Sequence, residues 1–308
     1  MIIAFICIVL IFNTMETISI HRPKIVVIGS CNTDMVVKAN RLPVPGETIL
    51  GGTFYMNPGG KGANQAIAAA RLGAEVTFIS KIGYDLFGLQ ALEIYRSEKI
   101  NTEYIFTDQK SPSGVALISV DSFGENSIIV APGASRSLSI EDINKAEEKI
   151  KEADIILMQL EIPIDTVEYA ATIACKYGKK VILNPAPASS LSNSFLMNVH
   201  TILPNRIESA HRAAQAIGEK GIENVVITLG KDGAYVKEKD EYTMIPAKEV
   251  ETIDTTGAGD VFCGAFSVCL SEGHSLAKSV KFANAAAAIA VTRIGAQSAI
   301  PYKREVVL

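Results

Sequence analysis

Tryptophan is absent from this chain, and histidine occurs at four scattered positions, His21, His200, His211 and His274. That scatter argues against a histidine-based metal site. The five cysteines, Cys7, Cys31, Cys175, Cys263 and Cys269, are odd in number and form no CxxC pair. They read as reduced thiols of an intracellular protein, not as a disulfide frame or a zinc site. The expected location is the cytoplasm, with the nucleus open as well. No long basic run is present and the net charge is −4, which argues against nucleic acid or an acidic membrane surface as a partner. No apolar run is long enough to span a bilayer, which takes about 20 residues. The nearest approach is Met1 to Phe12. It has the length of a signal-peptide core, but no Lys or Arg precedes it and no A-x-A site follows. Met15 offers a second possible start, so residues 1–22 are set apart as an apolar extension.

What remains, 23–308, suits one large α/β domain with ample core, given 308 residues and 48% hydrophobic content. Ile25 to Ile28 is a β-branched run ended by Gly29, read as a buried parallel strand. Further strands are expected over Val76–Ser80, Ile155–Leu160, Val181–Leu183, Thr201–Leu203 and Val225–Leu229. Helices are expected over Ala66–Leu72, Leu86–Lys99, Ile140–Lys151, Asp165–Tyr177, Val261–Leu270 and Ser275–Thr292. Two β-prone stretches stand outside this alternation, about 34–56 and 113–131, the second a hairpin around Asp121 to Glu125. The β–α order predicts a mostly parallel, doubly wound sheet flanked by helices, with a small β-sheet excursion.

Asp254-Thr255-Thr256-Gly257-Ala258-Gly259-Asp260 carries the clearest chemistry. Glycines admit positive φ and close backbone approach. The free N–H groups of a first helical turn, with the dipole behind them, form an anion cradle. Asp260 adds a carboxylate where anion binding needs none, which suggests a general base acting beside a stabilised phosphoryl group. The plainer reading is an N-terminal cap. A second glycine turn, Pro58 to Gln65, lacks the Gly-Lys-Ser/Thr ending of a Walker A loop. Asn32 and Asp34 follow the first strand and could clamp a polyol or form an ordinary turn. Glu161 ends a buried strand at the edge where open α/β sheets bind ligands.

Taken together, Gly59-Gly60-Lys61-Gly62-Ala63-Asn64-Gln65-Ala66, Met158-Gln159-Leu160-Glu161, Asn184-Pro185-Ala186-Pro187, Ile227-Thr228-Leu229-Gly230, the Asp254 to Asp260 stretch and Thr292 to Gln297 resemble the ribokinase branch of the PfkB-type carbohydrate kinases. The resemblance runs from residue 24 to about 303. It implies a ribokinase-like doubly wound fold with a β-sheet lid that also makes a homodimer contact. It implies transfer of the γ-phosphoryl of ATP to O5 of D-ribose. Asp260 would be the base, and the amides of Gly257, Ala258 and Gly259 the anion hole. Asn32, Asp34, Gly60, Lys61, Gly62, Ala63, Asn64 and Glu161 would bind the sugar. Asn205, Thr228, Leu229, Gly230, Lys231, Asp232, Gly233, Gly259 and Asn284 would line the ATP site. Asp254, with carbonyls near Thr256, Ala290, Arg293 and Gly295, would hold K⁺, and Glu208 would lie near the Mg²⁺ brought by the nucleotide.

Two departures stand out. The stretch between Asn205 and Val225 is shorter than the family pattern, and Ala299 falls where a serine is expected, with Ser298 one place earlier. The other readings left open are a kinase for deoxyribose or a nucleoside, a sugar-binding relative without turnover, and a secreted binding protein resting on Met1 to Phe12.

Overall fold

The computed structural model describes residues 22–205 and 209–307. The apolar run Met1 to Phe12, Met15, Cys7, His21 and Glu208 lie outside the described residues.

In chain order the strands are β1 Lys24–Ile28, β2 Asn32–Lys38, β3 Thr53–Gly59, β4 Glu75–Gly83, β5 Ile105–Asp108, β6 Gly114–Val120, β7 Asn126–Ala131, β8 Ile155–Met158, β9 Lys180–Leu183, β10 Thr201–Ile202, β11 Asn224–Thr228, β12 Ala234–Glu238 and β13 Glu241–Ile245. The α-helices are α1 Lys61–Arg71, α2 Leu86–Ser97, α3 Ile140–Lys145, α4 Glu147–Glu152, α5 Ile164–Lys176, α6 Asn193–Leu196, α7 Ala210–Gly218, α8 Ala258–Ser271 and α9 Leu276–Ala290.

Nine strands form one sheet in the order β13-β12-β11-β10-β9-β8-β1-β4-β5. It is parallel from β11 through β5, and β12 and β13 continue it antiparallel. Alternation in β1 explains the two layers. Ile25 and Val27 point into a core shared with α1, α2, α8 and α9, while Val26 and Ile28 point into one shared with α3 to α7. Burying each such side chain stabilises the fold by about 1.5–3 kcal/mol. Because β1 lies between β8 and β4, the strand order reverses beside it. A crevice beyond the carboxyl ends of β1 and β8 is where such sheets bind ligands.

The chain leaves β1 into a separate four-stranded sheet, β3-β2-β6-β7. Here β2 pairs antiparallel with β3 and parallel with β6, and β6 pairs antiparallel with β7. Phe54, Met56, Leu117, Ile128, Ile129 and Val130 are exposed on it.

Several local expectations change. Asn32 and Asp34 lie within β2, not in a turn, because β3 and β6 pair with that segment on both sides. The helix expected over Ile140–Lys151 is two short helices. Ala146 at their junction has φ −100° and ψ 5° and bonds back to Ile143 and Asn144. Helix α1 begins at Lys61, before the Ala66 start expected, so Asn64 and Gln65 belong to it. Strands β5, β12 and β13 and helix α6 were not anticipated. No helix of the described residues is long and apolar enough to cross a membrane.

Candidate active site

Two glycines let the chain fold back on itself at the mouth of the crevice. Gly60, with φ +91°, precedes α1, and a Cβ on it would lie 2.8 Å from the Asn32 backbone nitrogen. A Cβ on Gly62 would lie 2.6 Å from the Gly29 carbonyl carbon. The first turn of α1 therefore rests directly on the backbone leaving β1.

Asp34 lies over Gly59, where an added Cβ would meet both its carboxylate oxygens. Burial first, then the Glu161 and Asp260 charges, push its carboxyl up to about 6 against the opposing Lys61 charge. Asn32 is buried, and its Oδ1 has no hydrogen-bond partner among the described residues. Glu161 accepts the Lys61 backbone N–H at 3.0 Å and the Ser30 hydroxyl. Its other oxygen lies 3.9 Å from the Lys61 ammonium. Burial works against that ammonium, but Asp260, Glu161 and Asp34 outweigh it and hold Lys61 charged. Buried Gly62 and Ala63 contribute backbone to the same turn.

Asp260 stands in the first turn of α8, 7% exposed. One carboxylate oxygen accepts from Asn64 Nδ2 and the other from Gln65 Nε2, each at 2.9 Å. Burial raises its pKa. Lys61 and the two amides oppose the rise, and the Glu161 charge adds to it. A base tuned upward is better matched to neutral pH than an ordinary carboxylate. Gly257, the residue before α8, has φ +74°. The Ala258 N–H bonds the Thr255 carbonyl at 3.2 Å. Among the described residues the N–H groups of Gly257 and Gly259 have no acceptor in range, so the free donors of the turn are fewer than the sequence implied.

On the far side of this turn is a cleft of about 800 Å³. It is lined by Thr228, Gly230, Lys231, Asp232, Gly233, Gly259 and Asn284, all expected there from the sequence, and by Ala258, expected only in the anion hole. The loop from Ala247 to Thr252, together with Thr255, Phe262, Ala287, Ala288 and Val291, completes the wall. No motif marked that loop; the nearest signal was Pro246 ending β13. Leu229 does not line the cleft and packs into the helical layer with α7, and exposed Asn205 does not line it either. Asn284 donates to the carbonyls of Ile245 and Pro246 at 3.3 Å, tying α9 to the end of β13.

Asp254 pins the chain before the turn. One oxygen accepts from the Thr256 N–H at 2.9 Å and its hydroxyl at 2.6 Å, and the other from the Gly295 N–H at 2.9 Å. Burial alone would raise its carboxyl, but these donors hold it below the usual range. The Ala290 carbonyl accepts from Arg293 at 3.0 Å and the Val291 carbonyl from Ile253 at 2.7 Å. Both Asp254 oxygens are thus engaged by N–H and O–H donors, and the two carbonyls at the end of α9 by backbone N–H groups.

A doubly wound sheet, a buried carboxylate in the first turn of a helix and a nucleotide-sized cleft beside that turn match the architecture of a sugar kinase. The chain belongs to the pfkB family of carbohydrate kinases, whose family model matches residues 22–303. It is 44% identical to the ribokinase of Haemophilus influenzae, over 92% of this chain and 97% of that one. The crystal structure of the ribokinase from Thermotoga maritima is 37% identical, covers 92% of this chain and 98% of its own, and superposes with a TM-score of 0.84. The ribokinase of Arabidopsis thaliana, solved with ribose and ATP, is 31% identical over 92% and 97% of the two chains, with a TM-score of 0.84. Neither these relatives nor the described residues bear out the nuclear part of the expected location.

Proposed function

We propose that this chain transfers the γ-phosphoryl of ATP to O5 of D-ribose, giving ribose 5-phosphate and ADP. The observation that carries the reading is Asp260. It is a buried carboxylate held by Asn64 and Gln65, next to Gly259, which lines the nucleotide-sized cleft, and beside the free amides of Gly257 and Gly259.

Ribose fits the polar pocket. Asp34 and Glu161 accept from its hydroxyls, while Asn32, Asn64 and Lys61 donate. Asp260 takes the proton from O5 as that oxygen attacks. The amides of Gly257 and Gly259 and the positive end of α8 stabilise the charge on the transferring group. Phosphoryl transfer needs positioning and charge stabilisation more than covalent chemistry. Asp254 with the carbonyls of Thr256, Ala290, Arg293 and Gly295 would hold a monovalent cation such as K⁺, whose charge would steady the turn before Gly257. Mg²⁺ would arrive with the nucleotide and neutralise its phosphates. The small sheet would close over the sugar and exclude water, and its exposed apolar face would pair with a second copy to form a homodimer.

The test is ADP release from ATP with Mg²⁺ and K⁺, with and without D-ribose, beside Asp260→Asn. Ribose-dependent turnover that falls by about 100- to 10,000-fold in the variant supports the reading. A folded chain that binds ribose but turns over no pentose sinks it.

A further inference from the structure

Asp260 is reached by two separate chains of side-chain amides. On one, Gln159 donates through Nε2 to Gln65 Oε1 at 2.6 Å, and Gln65 donates onward to Asp260 at 2.9 Å. On the other, Gln297 donates through Nε2 to Asn64 Oδ1 at 3.1 Å, and Asn64 donates to the second oxygen of Asp260 at 2.9 Å. Gln65, Gln159 and Gln297 are buried with 0%, 0% and 3% exposure. They come from three places: α1, the segment after β8 and the turn after Gly295. At the outer end of each chain a carbonyl, Gln159 Oε1 or Gln297 Oε1, has no partner among the described residues. Gly29 leaves the room for one of them, since a Cβ there would lie 2.1 Å from Gln159 Oε1.

The direction of both chains is the informative feature. An amide offers a donor end and an acceptor end of nearly the same shape. A carboxylate offers acceptors alone, so it is satisfied only if both inner amides present N–H. Gln65 and Asn64 are held that way round because their carbonyl ends are already occupied. Every hydrogen bond in the two chains is donated inward, and the unmet acceptors are left at the periphery.

We propose that Gln159, Gln65 and Gln297 are positioning residues for the phosphoryl-transfer reaction, directing two amide chains so that Asp260 stays ionised and fixed toward the sugar hydroxyl. The role rests on the reading of Asp260 as the base. Other charged or titratable groups facing Asp260 are Lys61 on α1, Asp34 on β2, Glu161 after β8 and Cys263 on its own helix. Lys61 favours the anion, whereas Asp34 and Glu161 oppose it.

Gln159→Met tests one chain with little change in size. Its side chain cannot donate, so the Gln65 carbonyl loses its partner and Gln65 is no longer held with its N–H toward Asp260. Gln297→Met tests the other by removing the donor to Asn64. Two measurements are made on each. The first is the acid limb of the pH profile of kcat/KM for ribose. The second, independent of turnover, is titration of the Asp260 carboxyl by carbon-13 NMR of aspartate-labelled protein, assigned with Asp260→Asn. The expected result is an upward move of the Asp260 midpoint by about one unit in each variant, tenfold in proton affinity, with the acid limb moving alike. A residue that only packs the core would lower the melting temperature and leave the midpoint in place. Midpoints unchanged in both variants overturn the proposal. If the wild-type chain turns over no sugar, the kinase reading fails, and the carbon-13 titration still decides whether the amides hold Asp260 ionised.

Discussion

Glu161 binds both ends of Lys61. Its carboxylate accepts that residue's backbone N–H at 3.0 Å and lies 3.9 Å from its ammonium. The start of α1 and the segment after β8 are thereby fixed to each other beside the proposed sugar site. Glu161→Ala is expected to raise KM for ribose by about ten- to a hundredfold, as follows from losing one or two hydrogen bonds to a charged group. Turnover at saturating ribose should change far less. Steady-state kinetics at fixed ATP separates the two, and a large fall in kcat with unchanged KM would contradict a binding role.

Gly257 must hold φ +74°, and a Cβ on it would approach the Ala296 Cβ at 3.1 Å. An alanine there costs about 1–2 kcal/mol in backbone strain and displaces the free amides. Gly257→Ala should lower kcat strongly while leaving ribose binding by calorimetry near its wild-type value. Full turnover in this variant would remove the turn from the anion hole.

Asp34 carries a pH signature. Its carboxyl is raised from 3.8 to about 6, chiefly by burial. The sign follows from linkage: its contribution to stability is fully present below pH 3.8 and is lost as pH rises through about 6. Asp34→Asn should therefore stabilise the ligand-free chain at pH 8 by up to about 3 kcal/mol, have little effect near pH 4, and weaken ribose binding. Urea unfolding at the two pH values reads the difference, and an equal effect at both would refute the cause assigned.

The small sheet exposes Ile129 on β7 and Phe54 on β3. Ile129 lies in one cross-strand row with Leu117, Met35 and Met56, and exposed apolar residues grouped this way suit the proposed dimer contact. Ile129→Lys should shift the chain from dimer to monomer in sedimentation velocity. A wild-type chain that is already monomeric at high concentration would rule the dimer out.

Much of the fold could be read in advance, because its determinants are local. The β-branched runs at Ile25–Ile28 and Val225–Ile227 are buried on both faces, so they stand out as continuous apolar segments. Ser139 and Ser275 cap α3 and α9, each accepting an N–H three residues on. Strand β2 was harder. Asn32 and Asp34 have weak strand preference, and pairing with β3 and β6 overrides it. Likewise, β13 is mostly exposed and has no inward face to generate a clear pattern.

The site divides along the same line. By itself the sequence determined the residue types that local geometry demands: glycines at 60, 62 and 257, where positive φ or backbone contact excludes a side chain, and the acid at 260 in a helix's first turn. Tertiary structure alone decided which groups meet. Gln65 and Gln159 are 94 residues apart in the chain, and Asn64 and Gln297 are 233 apart. No periodicity or spacing encodes such contacts, because they arise only when the packing of α1 on β1 and α8 closes the space around Asp260. The direction of the amide chains follows from that closure, since a buried carboxylate can be satisfied only by donors brought to it from elsewhere in the fold.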